Sequence, residues 1–369
     1  MADNLYNKYR ILNINDLIGQ NSIVKDLKRR FKENSVPHSI LLTGPTGTGK
    51  TTLEYIIAKH LLCNNKDALG NPCNVCDICT TVVNEKPSNY FYMMNASNIG
   101  INEMREIESL AMQKSLSSAK AKVIVIDEMQ ELGRNQQAAK NILKVLERPN
   151  SYSYFILGGM DESKINTAIK NRCTPYKLKF LNADAIAERL HHICKNENIA
   201  IDTEDKADIL FAIADNSFGS MRSAISYLER VIYSDIWDKN ELLKELNLVS
   251  NVELSSIINR LFIGDYTILE NEIDNELMNR IRFVLNLYLK SVVKVELSSW
   301  QISQIKGIKI SNLSDVFFFI DKMNDFYKFN YVDKTTIETT LILCMNKFKQ
   351  NATSLTRLTE EKRRREPKS

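Results

Sequence analysis

Residues 39–52 read SILLTGPTGTGKTT and contain the most informative pattern of the chain. Ser39–Thr43 is a short apolar run, which is typical of a buried parallel strand. The glycine-rich motif GPTGTGKT follows at residues 44–51. After it, apolar residues recur at helical spacing on one predicted face: Leu53, Ile56, Ile57 and Leu61. This order of strand, loop and helix predicts a P-loop, which binds the phosphates of a nucleotide.

Each part of this loop has an expected chemical role. The glycines let successive backbone N–H groups turn toward phosphate oxygens, and the helix N-terminus adds partial positive charge. Lys50 is expected to reach the β- and γ-phosphates, and the Thr51 hydroxyl to bind Mg²⁺. A glycine-rich turn without a ligand is the weaker alternative. The candidate nucleotide-binding residues of the loop are Gly44, Gly47, Thr48, Gly49, Lys50, Thr51 and Thr52.

A second motif, KVIVIDE at residues 122–128, predicts a central strand that ends in two carboxylates. Ligands bind at this carboxyl edge in parallel α/β sheets. Asp127 suits a Mg²⁺ ligand, and Glu128 is placed to activate an attacking water as a general base. A strand that ends in two acids without a catalytic role is the alternative, and the upstream P-loop makes it weaker.

Four of the seven cysteines lie in one short stretch, CNNKDALGNPCNVCDIC, at residues 63–79. This spacing predicts a tetrahedral zinc site, although an iron–sulfur cluster also takes four cysteines and two disulfides are a third option. A structural role is expected because protein fills all four ligand positions. Cys173, Cys194 and Cys344 stand alone and are interpreted as packing residues. The predicted zinc ligands are Cys63, Cys73, Cys76 and Cys79.

Composition indicates an ordinary globular protein. The chain has 369 residues, of which 44% are hydrophobic and 25% charged, and its net charge is +4. This length predicts two or three domains. The charge permits contact with nucleic acid without requiring it. No apolar run approaches a membrane span, and the N-terminus lacks a signal peptide, so we expect no membrane partner and a cytoplasmic location.

The rest of the chain alternates strands and helices up to about residue 178. Further strands are predicted at 90–94, 154–157 and 176–180, and helices at 101–113 and 136–147. This predicts a P-loop core with a parallel sheet over residues 1–178. Residues 179–245 have a helical pattern in which Ser220 is a candidate cap, and residues 246–350 are again helical. Residues 351–369 form a charged tail, of which the last 14 residues are expected to be frayed.

The order of these motifs resembles the AAA+ clamp-loader ATPase subunits. Within that family it is most similar to the gamma/tau subunits of bacterial DNA polymerase III, over about residues 5–245. The P-loop and the acidic strand end are common to many ATPases. The cysteine module between them is more specific, as are the downstream motifs. The residues that carry the resemblance are Tyr9-Arg10, Ile18-Gly19-Gln20, Gly44–Thr51, the four cysteines, Val123–Glu128, Leu143–Pro149, Asn171–Cys173 and Gly219–Arg222.

The resemblance implies further site residues. Arg172 matches an arginine finger that reaches the ATP site of a neighbouring subunit. Arg222 matches the sensor 2 residue that contacts the γ-phosphate of its own ATP. Tyr9, Arg10 and Ile18 match the segment around the adenine. The implied cofactors are ATP, Mg²⁺ and Zn²⁺.

The resemblance also implies an architecture and an activity. A small helical lid would correspond to residues 179–245 and an all-α collar to residues 246–350, with the collar joining a pentameric ring of clamp-loader subunits. ATP binding would let the ring open a sliding clamp and grip primer–template DNA by its backbone. Hydrolysis, with Glu128 as base and Lys50 and Arg172 at the phosphates, would release the clamp onto DNA.

The chain departs from this family at the end of the fourth strand. The usual Leu-Ala-Thr-Thr run contains the sensor 1 threonine, whereas this chain reads Leu157-Gly158-Gly159-Met160. Such departures indicate a diverged member, of cellular or viral origin. A non-hydrolysing scaffold subunit is therefore one alternative. A different AAA+ DNA machine, such as a branch-migration helicase, and a small-molecule P-loop kinase are the others.

Overall fold

The computed structural model describes residues 4–114, 119–134, 136–238, 241–242, 251–270, 273–297, 299–326 and 333–365. The chain divides into two compact units, Met1–Lys239 and Asn240–Ser369. The boundary between them precedes the predicted one at residue 245. The sheet and the first helical segment, which the sequence predicts as two domains, fall within one unit.

A five-stranded parallel sheet forms the centre of the first unit, in the order β2-β3-β4-β1-β5. The predicted α/β core with a parallel sheet is therefore confirmed. Strand β3 is buried on both faces because Val123 and Val125 pack into one apolar layer, and Ile124 and Ile126 into the other. The strands are β1 Ser39–Thr43, β2 Phe91–Asn95, β3 Lys122–Asp127, β4 Ser153–Gly159 and β5 Thr174–Lys177.

Strand β5 begins and ends earlier than the predicted 176–180. Its last ladder bond is donated by Leu178 N to Thr43 O, at 2.7 Å. The side chain of Gln20 then takes the place of a neighbouring strand, since its amide nitrogen donates to Lys179 O at 2.7 Å and its oxygen accepts from Lys179 N at 3.0 Å. A long-range side-chain contact of this kind leaves no local signal in the apolar pattern.

Helices cover both faces of the sheet. Helices α2 and α3 lie on one face and α5 and α6 on the other, as their apolar residues join the two separate layers. The helices around the sheet are α1 Leu5–Lys8, α2 Asn21–Glu33, α3 Lys50–Leu62, α4 Asp77–Val83, α5 Ile101–Met112, α6 Gln136–Glu147 and α7 Thr167–Lys170.

Helix α3, which follows the P-loop, differs from the prediction of a single apolar face. It is buried nearly all round, and the buried set includes Glu54, Lys59 and His60. The cysteine segment explains this burial in part, because Asn74 and Gly70 of that segment contact Lys59 and His60. His60 also stacks on Phe31 of α2, with the ring centroids 3.8 Å apart.

Three helices complete the first unit, and no strand occurs among its described residues after β5. The Ser220 hydroxyl accepts a hydrogen bond from Ser223 N at 3.2 Å, so this residue caps its helix as predicted. The buried side of that helix includes Ala224, Ile225 and Leu228. The three helices are α8 Ala183–Asn196, α9 Glu204–Asn216 and α10 Met221–Ser234.

The described part of the second unit is helical, as predicted. Its core packs aliphatic residues around Phe319 and Phe348. The last helix continues to Arg365, so much of the segment that was expected to be frayed is helix. The five longer helices are α11 Asn251–Ile263, α12 Asn275–Val292, α13 Ser299–Ile305, α14 Leu313–Phe326 and α15 Lys334–Arg365.

Candidate nucleotide-binding site and cysteine cluster

The P-loop joins β1 to α3 and packs closely against its surroundings. Gly47 has φ +77°, and a Cβ on it would lie 2.0 Å from the Ser220 hydroxyl oxygen. Its carbonyl accepts a hydrogen bond from Met221 N at 3.0 Å. Glycine is therefore required at 47 both by backbone conformation and by space. The loop directly contacts the start of α10.

Lys50, the first residue of α3, is buried at the base of the loop. Its ammonium donates to Gly44 O at 2.9 Å and to Pro45 O at 3.0 Å. Burial lowers the pKa of Lys50, while the carboxylates of Asp127 and Glu128 act in the opposite direction. Lys50 thus lies between the loop carbonyls and the acidic end of β3.

The two acids at the end of β3 have different surroundings. The Asp127 carboxylate accepts a hydrogen bond from Glu128 N at 2.8 Å. Glu128 has φ +56°, a left-handed conformation that is unfavourable for a residue with a side chain. Its carboxylate accepts a hydrogen bond from the Gln130 amide. The adjacent ends of β3, β4 and β1 bring these acids to the P-loop.

A third carboxyl lies behind these two acids. Glu54 of α3 is fully buried, and neither of its oxygens has a hydrogen-bond partner. One Glu54 oxygen and one Asp127 oxygen lie 2.2 and 2.5 Å from the position of a Cβ on Gly158. Burial, followed by the charge of Asp127, raises the pKa of Glu54 well above its usual value. A glycine at 158 leaves room for this carboxyl.

A cleft of about 880 Å³, including its open mouth, lies above the loop. The P-loop and the acids form its base, residues 6–18 form one wall, and the start of α10 together with Arg189 forms another. The lining residues are Tyr6, Tyr9, Arg10, Ile11, Leu17, Ile18, Thr46, Gly47, Thr48, Gly49, Lys50, Thr51, Thr52, Asp127, Glu128, Leu181, Arg189, Met221, Arg222 and Ile225.

Most of the predicted nucleotide-site residues line this one cleft. Two predicted residues do not. Gly44 lies behind the cleft, where a Cβ on it would be 2.6 Å from Leu178 O. Arg172 lies outside it, where its guanidinium pairs with Glu147 and donates to Ala168 O at 2.8 Å. The predicted residues that line the cleft are Tyr9, Arg10, Ile18, Gly47, Thr48, Gly49, Lys50, Thr51, Thr52, Asp127, Glu128 and Arg222.

Tyr6 is a cleft residue that the sequence analysis missed. The centre of its ring lies 5.3 Å from Arg10 Cζ and 5.0 Å from Arg222 Cζ. The Arg222 guanidinium also donates to the Tyr6 hydroxyl at 3.2 Å. The aromatic ring attracts each guanidinium group, so these contacts stabilise two cations that line the same cleft.

Arg189 of α8 is the second missed residue. Its guanidinium donates to Tyr9 O at 2.8 Å. The Tyr9 hydroxyl donates to Glu197 at the end of α8, and burial, with Glu197 as the next cause, raises the pKa of Tyr9 to about 12. No local motif surrounds Arg189, so only its place in the fold identifies it.

The four predicted zinc ligands come together. The Sγ atoms of Cys63, Cys73, Cys76 and Cys79 all lie within 4.8 Å of one another. Cys63 Sγ is 3.6 Å from Cys73 Sγ and 4.0 Å from Cys76 Sγ. Four sulfurs around a zinc ion, each bonded at about 2.3 Å, lie about 3.8 Å apart in a tetrahedron. The cluster is therefore compatible with zinc.

The cysteines of the cluster differ in pKa. Backbone N–H groups, that of Val75 above all, lower the pKa of Cys73 to about 6, whereas burial raises the pKa of Cys79. Lys59 lies nearby, and burial lowers its pKa to about 8 against the attraction of the cysteine sulfurs. A metal ion would stabilise the thiolate form of the cysteines.

Comparisons with known proteins give a family match and named relatives. A family model described as DNA polymerase III, delta subunit, matches residues 19–182. The gamma/tau subunit of DNA polymerase III from Mycoplasma genitalium is 30% identical over 308 residues, which cover 83% of this chain and 50% of that protein. The gamma subunit of DNA polymerase III from Buchnera aphidicola subsp. Schizaphis graminum is 33% identical over 256 residues, which cover 69% of this chain and 66% of that protein.

The chain therefore spans about half to two thirds of the length of these relatives. Among solved structures, the Thermotoga maritima RuvB Holliday junction branch migration motor matches with a TM-score of 0.46 and 17% identity, over 86% of this chain and 91% of that one. In the part of the chain that the structure describes, no helix has the length and apolar character needed to cross a membrane.

Proposed function

Because the chain belongs to the gamma/tau-like clamp-loader family, we propose that it is an ATPase subunit of a DNA-replication clamp loader. The supporting observation is the convergence of twelve predicted nucleotide-site residues on one cleft. In this proposal the chain binds ATP in that cleft. ATP binding and hydrolysis drive a ring of subunits that opens a sliding clamp and places it on primed DNA.

The cleft residues would divide the work of binding. The N–H groups of the P-loop and the ammonium of Lys50 hold the phosphates. The wall from Tyr6 to Ile18 holds the base, and Arg222 approaches the γ-phosphate from α10. Thr51 and Asp127 are the expected ligands of Mg²⁺, which when bound neutralises charge that develops on the phosphate oxygens.

Hydrolysis would need one group in the cleft and one outside it. Glu128 takes a proton from the attacking water, since it is the acid next to the expected Mg²⁺ ligand. Arg172, which lies outside the cleft of its own chain, is proposed to complete the site of a neighbouring subunit. A cation supplied by a neighbour makes hydrolysis depend on assembly, because it stabilises charge only once the ring has formed.

The remaining parts of the chain are assigned supporting roles. We propose that α8 to α10 act as a lid, that the second unit acts as a collar in a ring of five subunits, and that the cysteines hold one structural Zn²⁺. Primer–template DNA would be recognised by its shape and phosphates rather than by sequence. Such a replication protein would work in the cytoplasm.

The test is ATP hydrolysis by the chain assembled with its ring partners, with and without clamp and primed DNA. Glu128→Gln and Arg172→Ala are measured beside it, and Arg148→Ala serves as an exposed control close to Glu147. Stimulation by clamp and primed DNA, lost in the first two variants and kept in the control, is the expected result. Turnover that is indifferent to clamp and DNA would contradict the proposal.

A scaffold subunit that binds ATP without hydrolysing it is the second candidate. The observation in its favour is the end of β4, where Gly158, Gly159 and Met160 bring no hydroxyl side chain to the cleft. This candidate predicts that Glu128→Gln leaves clamp loading unchanged while ATP still binds.

A further inference from the structure

The end of β4 places backbone rather than a polar side chain beside the acids of β3. Gly159 is the last residue of the strand, and Met160 follows it. Hydrolysis of a nucleotide by water requires that the base and the water be held in line with the phosphorus. Some other group must therefore orient Glu128 if the cleft hydrolyses ATP.

Gln130, in the short helical turn after β3, occupies this place. Its amide oxygen accepts a hydrogen bond from Met160 N at 3.1 Å, and its amide nitrogen donates to the Glu128 carboxylate. The orientation of the amide is determined by its partners, since a backbone N–H only donates and a carboxylate only accepts. One side chain thus ties the end of β4 to the candidate base.

Gln130 also fills the space that a side chain on β4 would need. A Cβ on Gly159 would lie 3.1 Å from the Gln130 amide oxygen and 2.8 Å from Ile165 Cδ1. Gly159 has no positive φ that would demand glycine. The absence of a side chain at Gly159 therefore leaves the room that the Gln130 side chain occupies.

The backbone conformation of Glu128 is unusual, and the hydrogen bond from Gln130 adds to what holds this residue in place. Its backbone is left-handed, with φ +56°, which is strained for a residue with a side chain. Its N–H is already bonded to Asp127. The backbone is thereby fixed on one side, and the carboxylate is held by Gln130 on the other.

We propose that Gln130 is a positioning residue for hydrolysis, which acts by holding the carboxylate of Glu128 for proton removal from the attacking water. The inference rests on the proposed ATPase function. An amide side chain that orients the hydrolytic machinery has precedent among P-loop NTPases. Here the amide comes from the short helical turn after β3, and its oxygen accepts a hydrogen bond from Met160 N at the end of β4.

The test separates ATP binding from turnover in the assembled, clamp-stimulated complex. Gln130→Ala is expected to lower kcat by about 10- to 100-fold, less than most of the roughly 10²- to 10⁴-fold that a general base contributes, because the base is misplaced and not removed. The Kd for ATP is expected to change less than about threefold. Gln137→Ala, which removes an exposed amide of α6, is the matched control and should leave both values unchanged.

A rescue experiment distinguishes positioning from a merely structural role. In the Gln130→Ala background, Gly159→Thr offers a hydroxyl close to the vacated space and should restore kcat at least partly. Gly159→Ala in the same background makes the same approach to Ile165 without a hydroxyl and should not. Recovery with alanine would indicate a packing effect and overturn the inference.

The remaining outcomes also decide the question. An unchanged or increased kcat in Gln130→Ala, with a stimulated wild-type complex, overturns the inference and leaves the proposed function intact. ATP binding by the wild-type complex without any turnover overturns both. A loss of ATP binding in Gln130→Ala would mean that the residue supports the cleft as a whole, and it also contradicts the positioning role.

Discussion

The ammonium of Lys59 donates a 2.6 Å hydrogen bond to the side-chain oxygen of Asn74, which lies between the second and third cysteines of the cluster. The same ammonium donates to Leu12 O at 3.0 Å. The Asn74 amide nitrogen in turn donates to Asn13 Oδ1 at 2.8 Å. The cysteine segment is therefore fastened to residues 12–13, within the stretch 6–18 that forms one wall of the cleft.

Removal of the Asn74 side chain should loosen this connection. Asn74 has φ +62°, so Asn74→Gly deletes the amide without straining the backbone. We expect the free energy of unfolding to fall by about 1–3 kcal/mol, because the buried Lys59 ammonium loses an acceptor. Urea unfolding measures this, and bound zinc should stay at the wild-type level. An unchanged free energy of unfolding would mean that the side-chain hydrogen bonds of Asn74 contribute nothing net to stability.

Loss of a cysteine should have a larger effect. Cys76→Ser removes one of the four sulfurs that lie within 4.8 Å of one another. We expect bound zinc to fall from about one ion per chain to a small fraction, with a lower melting temperature. A strong chelator should shift the wild-type protein to the melting temperature of the variant and leave the variant unchanged. Wild-type protein that contains no stoichiometric metal would refute the zinc assignment.

Glu54 should make stability depend on pH. Its pKa is raised, so the folded chain keeps a proton that the unfolded chain releases above pH 4.5. Its contribution is therefore most favourable at low pH and is lost as pH rises toward the raised pKa.

We expect Glu54→Met to be more stable than wild type at pH 8 by about 1–3 kcal/mol, since an unpaired buried acid is replaced by an apolar group of similar size. At pH 5 the advantage should shrink, and urea unfolding at both values measures the difference. Glu188→Met, at an exposed site of α8, is the control. An advantage that is equal at both pH values would contradict the assignment of the proton to Glu54.

His60 should produce the opposite pH dependence. Burial lowers its pKa to about 4 from 6.5. Its contribution to stability is present above pH 6.5 and is lost as pH falls toward 4, because the unfolded chain binds the proton first.

When the pH falls from 7.5 to 5, the free energy of unfolding should decrease by on the order of 2 kcal/mol more in wild type than in His60→Phe. This variant keeps a ring against Phe31. Urea unfolding in the presence of chelator measures this loss without interference from metal release. His191→Asn, at an exposed histidine of α8, should behave like wild type. Equal losses of unfolding free energy in wild type and His60→Phe would refute the lowered pKa of His60.

The ring of Tyr6 should influence ATP affinity. Tyr6→Ala removes the ring that contacts Arg10 and Arg222, so each guanidinium group loses a cation–π contact worth about 0.5–2 kcal/mol. We expect ATP to bind about 3- to 10-fold more weakly by calorimetry. Tyr6→Phe keeps the ring and should change the affinity less than Tyr6→Ala does. Equal effects of the two variants would assign the role to the hydroxyl instead.

Local patterns predicted the parts of the site that are contiguous in sequence. β1 and α6 span Ser39–Thr43 and Gln136–Glu147 as expected, and β3, at Lys122–Asp127, lies within the predicted motif 122–128. Each of these elements has its full apolar signal within a few residues. The four cysteines also meet as predicted, because their spacing allows one short loop to bring them together.

Contacts between distant segments could not be predicted in this way. Tyr6 and Arg189 reach the cleft from elements that lie far from the P-loop in sequence. Glu54 looks like a solvent-facing residue of an amphipathic helix, but the sheet and the cysteine segment enclose α3 on several sides. Gln130 carries no motif, and its importance is apparent only from the glycine opposite it.

The Gln20 amide, which replaces a strand beside Lys179, has a mechanical consequence. A paired strand is released only by separating several backbone bonds in turn, whereas rotation of one side chain breaks both contacts of Lys179 together. The chain runs from this point into α8, so the Gln20 side chain fastens the segment that joins the sheet to α8.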